Sequence, residues 1–214
     1  GVMKMSKILI IDPGKGWGHF VSKMYCYQKL ADSLNSKIVF FTKKSTQAEQ
    51  YLKLNSFCDE VIYLEDTKRG IKNIFYNIKS FFNNVKTIKR FRFNKCFVFH
   101  PSLRFLLIAK FSKIDEIWGL GLKFQNFLLN KKYKFYSNFF SKTLQNDTET
   151  LEFVKKITNS ATIQFKPLYS FDYKLRDSVG IIIAASGDEK RWSIEGYIEL
   201  IDFFIKKKYK KFLI

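Results

Sequence analysis

Short apolar runs alternate with longer amphipathic segments along the first half of the chain. We predict strands at 7–12, 37–42, 60–65, 96–99 and 116–118. We predict helices at 20–34, 46–54, 71–88 and 102–111. The near-continuous apolar character of the strands is typical of a sheet covered on both faces, and their alternation with helices indicates βαβ units. The predicted fold class is therefore α/β, with a Rossmann-like, doubly wound parallel sheet.

The second half of the chain predicts a change of domain. Residues 121–146 have weak periodicity and are interpreted as an insertion or cap, followed by a helix over 148–157 whose inward residues are Leu151, Val154 and Ile157. A new strand, a polar loop, a helix starting near Ser193 and a last strand then follow one another. We predict an N-terminal domain at 1–160, a connection at 161–178, and the start of a second Rossmann-like domain at 179–214. Since a lone β-α-β unit has almost no core, we expect this second domain to be incomplete.

Composition indicates a globular protein with a large basic excess. The 214 residues include 38 Lys and Arg against 19 Asp and Glu, a formal net charge of +19, and 46% are apolar. Three dispersed cysteines form neither a disulfide framework nor a CxxC motif, and two histidines give no metal-site spacing. No uncharged apolar run reaches the roughly 18–20 residues of a membrane-spanning helix, and the N-terminus leaves no room for a signal peptide. We expect a cytoplasmic protein, soluble or peripheral.

The basic excess is concentrated in one stretch. Between Asp66 and Asp115 there is no carboxylate, yet there are twelve Lys or Arg residues. Lys72, Lys79 and Lys86 recur every seventh residue and so share one helix face, while a helical apolar stripe is expected to face inward. Its members are Ile71, Ile74, Phe75, Ile78, Phe82, Val85 and Ile88. Three interpretations stay open for the basic face: a solvated surface, docking on anionic lipid headgroups, or nucleic-acid binding.

Candidate chemistry lies first in the loop after the first strand, Asp12 to His19. Gly14, Gly16 and Gly18 alternate with other residues, among them Lys15, and let backbone N–H groups approach a ligand at the start of a helix. The spacing matches neither the GxGxxG fingerprint nor the P-loop. His19 is a candidate general base near neutral pH. The alternatives are a tight turn without a ligand and a structural histidine.

Two further loops are candidates for the same crevice. The loop 186–192 follows a strand and precedes a helix, and Ser186, Gly187 and Lys190 supply the hydroxyl, backbone amide and cation that suit a diphosphate. The alternative is a solvated charged loop. His100 and Ser102 follow the fourth strand, where they either line the crevice or, for Ser102, cap the next helix.

The loop Lys190-Arg191-Trp192, between the strand 179–183 and the helix containing Tyr197 to Leu200, resembles the start of the C-terminal domain in the lipopolysaccharide heptosyltransferase family. The segments 97–121, 146–157 and 60–64 are similar to further elements of that family. Ser193 replaces the usual Pro. The resemblance covers most of the chain, although the Lys-Arg-Trp loop is its most specific part.

The resemblance implies a GT-B fold, in which two Rossmann-like domains face each other across a cleft. It further implies a lipid-linked or lipopolysaccharide-core acceptor on the N-terminal domain and a nucleotide-sugar donor on the C-terminal domain. By resemblance, Ser186 and Lys190 hold the donor diphosphate, and Lys190 stabilises the charge that grows on the leaving nucleotide. No metal and no other cofactor is then required.

The glycine loop departs from the family pattern. The family's loop usually ends in Gly-Asp, whose Asp is the base for the acceptor hydroxyl, whereas this sequence has Gly18-His19. The Gly-His ending is similar to that of other GT-B transferases. Either His19 has taken over the role of base, or this member uses a different acceptor, or it is inactive.

These observations predict an inverting, metal-independent glycosyltransferase that acts on a bacterial surface glycan at the inner face of the inner membrane. Its expected partners are a nucleotide-sugar donor, a lipid-linked or lipopolysaccharide-core acceptor and an anionic membrane surface. The competing interpretation is a non-catalytic basic module that binds nucleic acid or an anionic glycan or lipid. Of these, nucleic acid is the less favoured partner, because the sequence contains no zinc finger, RNP motif or helix-turn-helix.

Overall fold

The computed structural model describes residues 6–14, 16–121, 134–136, 146–164, 178–183 and 191–213. Contacts within the chain divide it into a first unit, Gly1–Leu168, and a second unit, Tyr169–Ile214. That division falls inside the connection that the sequence predicts at 161–178.

The first unit is built on a parallel sheet of six strands within the described residues. The strands are β1 (Ser6–Ile11), β2 (Ser36–Thr42), β3 (Cys58–Tyr63), β4 (Lys95–Val98), β5 (Glu116–Gly121) and β6 (Lys134–Tyr136). They lie in the order β3-β2-β1-β4-β5-β6, and every pairing is parallel. This is the order of a doubly wound nucleotide-binding sheet, whose switch point lies between β1 and β4. The predicted α/β class is confirmed, and β6 lies inside the segment that was expected to be an insertion.

Helices cover both faces of this sheet. They are α1 (Trp17–Val21), α2 (Met24–Leu34), α3 (Glu49–Leu52), α4 (Ile74–Phe91), α5 (Leu103–Phe111) and α6 (Asn146–Thr158). Because successive strand residues point to opposite faces, Ile8 and Ile10 pack with α2 and α6, whereas Leu9 and Ile11 pack with α4 and α5. None of the helices in the described ranges combines the length and hydrophobicity that crossing a bilayer requires.

The second unit contains a β-α-β element. Its described parts are β7 (Ser178–Gly180), α7 (Ile194–Lys206) and β8 (Lys211–Leu213), and β7 pairs with β8 in parallel. Ser193 caps α7, since its Oγ accepts the Gly196 N–H at 3.0 Å. The indole of Trp192 covers Gly196 so closely that a Cβ there would lie 2.7 Å from Trp192 Cε2. Only glycine therefore fits beneath this indole without a shift.

Two helix predictions need correction on the face that carries α2 and α6. The helix expected at 20–34 is interrupted at Ser22–Lys23, where the Lys23 N–H bonds the Phe20 carbonyl three residues back, and Lys23 is buried at the start of α2. The inward residues of α6 include Glu149, Thr150 and Phe153 as well as the predicted Val154, while Leu151 and Ile157 are only partly buried.

The orientation predicted for the basic helix is wrong over its N-terminal half. Val85 and Ile88 are buried as expected, yet the preceding members of the stripe are exposed: Ile71, Ile74, Phe75, Ile78 and Phe82. The residues that face inward there are Ser80 and Asn84. Their side chains hydrogen-bond the backbone of the loop after β3, and these contacts set which face of the helix is turned toward the protein.

Candidate functional site

The candidate site lies at the carboxyl ends of β1 and β4, where the strand order reverses. Asp12 to Gly14 follow β1, and His100 to Ser102 follow β4. The two strands are neighbours, with Ile11 opposite Val98 and the Phe99 N–H donating to the Ile11 carbonyl at 2.9 Å. Ligands of doubly wound sheets bind outside this edge, so the fold brings two of the three predicted loops together.

A buried polar cluster anchors the first of these loops. Asp12, Lys23 and Tyr27 are each 1% exposed or less. Lys23 Nζ lies 3.0 Å from Asp12 Oδ2, and the Tyr27 hydroxyl donates to the same oxygen. Since a buried carboxylate is stable only when it is paired and hydrogen-bonded, Lys23 and Tyr27 fix Asp12 at the start of the glycine loop.

The protonation of Tyr27 follows from its burial. Burial, followed by the charge of Asp12 and the hydrogen bond to it, raises the pKa of Tyr27 well above its ordinary value. Tyr27 therefore keeps its proton and remains a donor to Asp12. The second carboxylate oxygen, Asp12 Oδ1, is buried and has no hydrogen-bond partner among the described residues.

Aromatic rings surround the cluster on the α2 side of the sheet. The ring of Tyr27 meets those of Phe40 and Phe99 edge-on, with centroids 5.2 and 5.4 Å apart, and Phe20 lies 5.4 Å from Tyr27. These contacts keep water away from the Asp12–Lys23 pair and connect it to the ends of β2 and β4. The start of the loop is consequently buried among packed side chains.

The glycine loop is open where a ligand would approach it. Gly14 is buried, whereas a Cβ placed on Gly16 or Gly18 would meet no atom within 4 Å. Gly16 is in extended backbone that any residue adopts, so neither conformation nor crowding within the protein requires glycine there. Lys15 lies outside the described residues. His19 lies in α1, directly after Gly18, and only its backbone is described.

His100 is half-buried and held in a defined orientation. Its Nδ1 accepts the backbone N–H of Ser102 at 3.1 Å, and its ring packs edge-on against Phe105 at 5.3 Å. Because Nδ1 accepts, Nε2 carries the proton of the neutral ring and is the donor. Ser102 occupies the N-cap position of α5, but its side chain makes no capping hydrogen bond.

The loop after β3 lies at the same edge and is also held by polar side chains. Asn84 accepts from the Glu65 N–H at 2.9 Å and donates to the Glu65 carbonyl at 3.0 Å. Arg104 from α5 donates to that carbonyl at 2.9 Å and to Ser80 Oγ at 3.3 Å. Partial burial lowers the pKa of Arg104, and the nearby carboxylate of Asp66 opposes this shift. The side chain stays a cation.

The remaining predicted residues lie outside the described residues or on another part of the first unit. Ser186, Gly187 and Lys190 lie outside the described residues, so their donor-binding role stays a prediction. Lys72, Lys79 and Lys86 are exposed on one face of the basic segment. Across the described ranges, no group of three or more His, Cys, Asp or Glu side chains is arranged to hold a metal ion.

Sequence reasoning missed Lys23 and Tyr27. Both lie in a segment read as one amphipathic helix, in which lysine is ordinarily a surface residue. Their spacing was a usable signal, because residues i and i+4 lie on one helix face. This helix also follows closely after Asp12, an acidic residue at the end of a buried strand.

No protein-family model matches the chain, and no curated protein matches it in sequence. In structure, the chain is similar to a glycosyl transferase of family 9 from Veillonella parvula, with 17% identity and a TM-score of 0.71 over 99% of this chain and 64% of that one. It is also similar to the Escherichia coli ADP-heptose lipopolysaccharide heptosyltransferase II, with 18% identity and a TM-score of 0.64 over 97% of this chain and 63% of that one.

A third similar structure is the E. coli heptosyltransferase WaaC with ADP, at 12% identity and a TM-score of 0.62. It is matched over 96% of this chain and 66% of its own length. The chain thus spans roughly two thirds of the length of these three proteins. The likeness confirms the GT-B-type fold class expected from the sequence.

Proposed function

We propose that this chain belongs to an inverting glycosyltransferase, which moves a heptose-like sugar from a nucleotide-diphosphate donor to a lipopolysaccharide or other surface-glycan acceptor. The observation that carries the proposal is the structural likeness to three glycosyltransferases over 96–99% of the chain. Two of them are named as heptosyltransferases, and one of these holds ADP. We place the reaction in the cytoplasm, at the inner face of the inner membrane.

The acceptor side of the proposal rests on the edge of the sheet at β1 and β4. Gly16 and Gly18 leave space in front of the loop. Asp12, held by Lys23 and Tyr27, keeps the start of the loop in place. His100 follows β4 at the same edge of the sheet, and an imidazole N–H is a donor of the kind that orients a sugar hydroxyl. In this proposal, loop and histidine bind the acceptor.

In the chemical step one bond forms, one bond breaks and one proton moves. The acceptor oxygen attacks the anomeric carbon of the donor as the bond from that carbon to the diphosphate oxygen breaks, so the configuration inverts. The bonding electrons leave with the diphosphate, and His19 takes the proton of the acceptor hydroxyl. Lys190, with Ser186 and the Gly187 amide, stabilises the negative charge that develops on the departing diphosphate. Protein cations replace a metal in this scheme.

The competing function is a non-catalytic basic module. The net charge of +19 favours it, because basic excess is the footprint of binding to polyanions. In that case the complete protein releases no nucleotide from any sugar donor, and it binds single- or double-stranded nucleic acid selectively at about 0.2 M salt, where non-specific contacts weaken.

The decisive experiment measures nucleotide release by the complete protein from ADP-heptose in the presence of lipopolysaccharide core. We expect Lys190→Ala to lower kcat by about 10²–10³-fold and His19→Ala to lower it by about 10²–10⁴-fold. His19→Asp, which restores the family's residue, should retain more activity than His19→Ala. Turnover should persist in EDTA.

Lys206→Ala is the matched control, since Lys206 is an exposed lysine of α7 with no ion pair in the described part of the chain. Unchanged turnover in Lys190→Ala would remove Lys190 from the mechanism. Absence of release from a panel of nucleotide sugars, together with selective nucleic-acid binding, would replace the proposed function by its competitor.

A further inference from the structure

The N-terminal half of α4 turns a polar face toward the protein. Asn77 accepts from the Lys68 N–H and donates to its carbonyl, both at 2.9 Å. Asn84 makes the same pair of bonds to the backbone of Glu65, and Ser80 Oγ donates to the Glu65 carbonyl. These residues recur at three- and four-residue steps, so they form one face of the helix. The helix is thus attached to the loop at 65–68 by amide and hydroxyl groups rather than by apolar contacts.

The opposite face of this half is apolar and exposed. Phe75 is 86% exposed, and Ile74, Ile78 and Phe82 are about half exposed; Ile71, in the turn just before α4, is also 86% exposed. Phe111 of α5, also exposed, extends this surface, since both Phe82 and Phe111 make edge contacts with Phe81. We call these six exposed side chains the α4 apolar stripe. Single exposed apolar residues are ordinary, but a contiguous set of this size marks an interaction surface.

Cations flank the stripe. At about 100° per residue, Lys79 and Lys86 of α4 lie beside the stripe and away from the inward face, and Lys72, in the turn just before α4, is exposed as well. We call these three the lysine row. The whole segment between Asp66 and Asp115 has no carboxylate and twelve Lys or Arg. The surface therefore combines apolar anchors with neighbouring cations, and the one carboxylate found to hydrogen-bond a side chain of α4 among the described residues is that of Glu65, at Asn83.

We propose that the α4 apolar stripe and its lysine row dock this protein on an anionic lipid bilayer. A helix lying in the interface buries its apolar side chains at the level of the acyl boundary, while lysines reach the headgroup phosphates. A second copy of the chain fits less well, because a two-fold interface would bring two like-charged lysine rows together. The polar attachment of α4 to the protein explains how the stripe is left free for the bilayer.

The docking surface follows from exposure and charge alone and does not depend on sugar transfer. Its orientation nevertheless fits the candidate site. The loop at 65–68, which α4 holds, follows the carboxyl end of β3, and the acceptor-side loops follow the carboxyl ends of β1 and β4. The stripe and the candidate site thus belong to elements that leave the same edge of the first unit's sheet.

The test is co-sedimentation of the complete protein with vesicles, without any sugar substrate. We expect binding to vesicles of equal phosphatidylglycerol and phosphatidylcholine, and little binding to pure phosphatidylcholine. Phe75→Ser with Ile78→Ser should weaken binding by about tenfold or more, because two apolar anchors are lost. The matched control is Leu54→Ser, compared with Phe75→Ser alone; it changes an exposed apolar residue of the first unit outside the stripe and should bind as the wild type does.

The charge row has its own variant and control. Lys72→Glu with Lys79→Glu and Lys86→Glu should weaken binding by about tenfold or more, since each basic residue near an anionic surface adds to the attraction. Lys44→Glu with Lys206→Glu and Lys210→Glu makes the same change in net charge at exposed sites elsewhere. That control should retain most of the binding, and far-ultraviolet circular dichroism checks that all variants are folded.

Three outcomes would overturn the proposal. The first is absence of binding to the anionic vesicles, and the second is equal loss in the stripe variant and its control. The third is a concentration-dependent dimer that the stripe variant dissociates while vesicle binding is absent. Loss of binding in the stripe and lysine variants with unimpaired nucleotide release from a soluble acceptor would separate docking from the proposed reaction and support both.

Discussion

Two loops at the carboxyl edge of the sheet are held by polar side chains of a following helix, and they are held in different ways. The loop after β1 depends on a buried ion pair, Asp12–Lys23, with Tyr27 as a second donor. The loop after β3 is held from α4 by neutral groups, with Asn84 and Ser80 bonding to the Glu65 backbone, and Arg104 of α5 donates to the same Glu65 carbonyl. The buried ion pair is enclosed by packed side chains that exclude water, whereas the amide contacts of α4 leave the other side of that helix unconstrained.

That difference decides what each helix presents to the outside. Around α2 the aromatic residues are turned inward, where Phe20, Phe40 and Phe99 enclose the ion pair. Along the N-terminal half of α4, the polar residues take the inward face and the apolar stripe is exposed. The comparison teaches that an apolar side chain is buried only where the inward face of its helix is not already occupied by required polar contacts.

The largest effect is expected from removing the cation of the buried pair. Lys23→Met leaves the Asp12 carboxylate buried without its counter-charge, and we expect the free energy of unfolding to fall by about 3–5 kcal/mol. Urea denaturation measures this, with Lys29→Met on the same helix as control. Adding Asp12→Asn to Lys23→Met should recover part of the loss. A loss below about 1 kcal/mol in Lys23→Met would show that the two loops are held in equivalent ways.

Truncating a side chain should lower stability in the C-terminal half of α4 and leave it almost unchanged in the N-terminal half. Ile88 is fully buried, so Ile88→Ala should cost about 2–5 kcal/mol of unfolding free energy. Phe75→Ala removes a larger side chain, yet it should change stability by no more than about 0.5 kcal/mol, because that side chain contacts solvent. Comparable losses in the two variants, measured by thermal or urea unfolding, would mean that the stripe is buried in solution.

The smallest of the three effects concerns the second donor to Asp12. Tyr27→Phe removes one hydrogen bond from a buried carboxylate and should lower the free energy of unfolding by about 1–3 kcal/mol. The raised pKa of Tyr27 adds a pH dependence. Above about pH 10, the unfolded chain loses this proton before the folded chain does, so the stability that Tyr27 contributes is complete below about pH 10 and falls as the pH rises.

Urea unfolding at about pH 8 and about pH 11 checks the sign of that dependence. The stability difference between wild type and Tyr27→Phe should be smaller at the higher pH. A difference that stays constant would mean that Tyr27 titrates as an ordinary, solvent-exposed tyrosine.

The sheet could be predicted from the sequence because strands covered on both faces must be apolar almost throughout. The runs around Ile10, Phe40 and Phe97 carry that signal without reference to any partner. Helix orientation could not be predicted in the same way, since the apolar period gives the spacing of a face but not which face is turned inward. For α4, that choice depends on hydrogen bonds from Asn84 and Ser80 to a loop distant in the sequence.

Some features of the candidate site could be predicted from the sequence, and others could not. The position of the glycine loop and of His100 at the switch point could be predicted from strand order and chain direction. The Asp12–Lys23–Tyr27 cluster could not, because its members are separated in sequence and each has an ordinary surface role elsewhere. The chemical roles of His19, Ser186, Gly187 and Lys190 stay predictions for the experiments above.

The contact of Trp192 with Gly196 has an experimental consequence. This half-exposed indole follows Arg191 and rests on the first turn of α7. A nucleotide-sugar donor bound as we propose, beside Trp192, either leaves the indole on Gly196 or lifts it into water. Intrinsic fluorescence is therefore a label-free test of the proposed donor binding, and Gly196→Ala, which crowds the ring, should by itself shift the emission of the protein without donor.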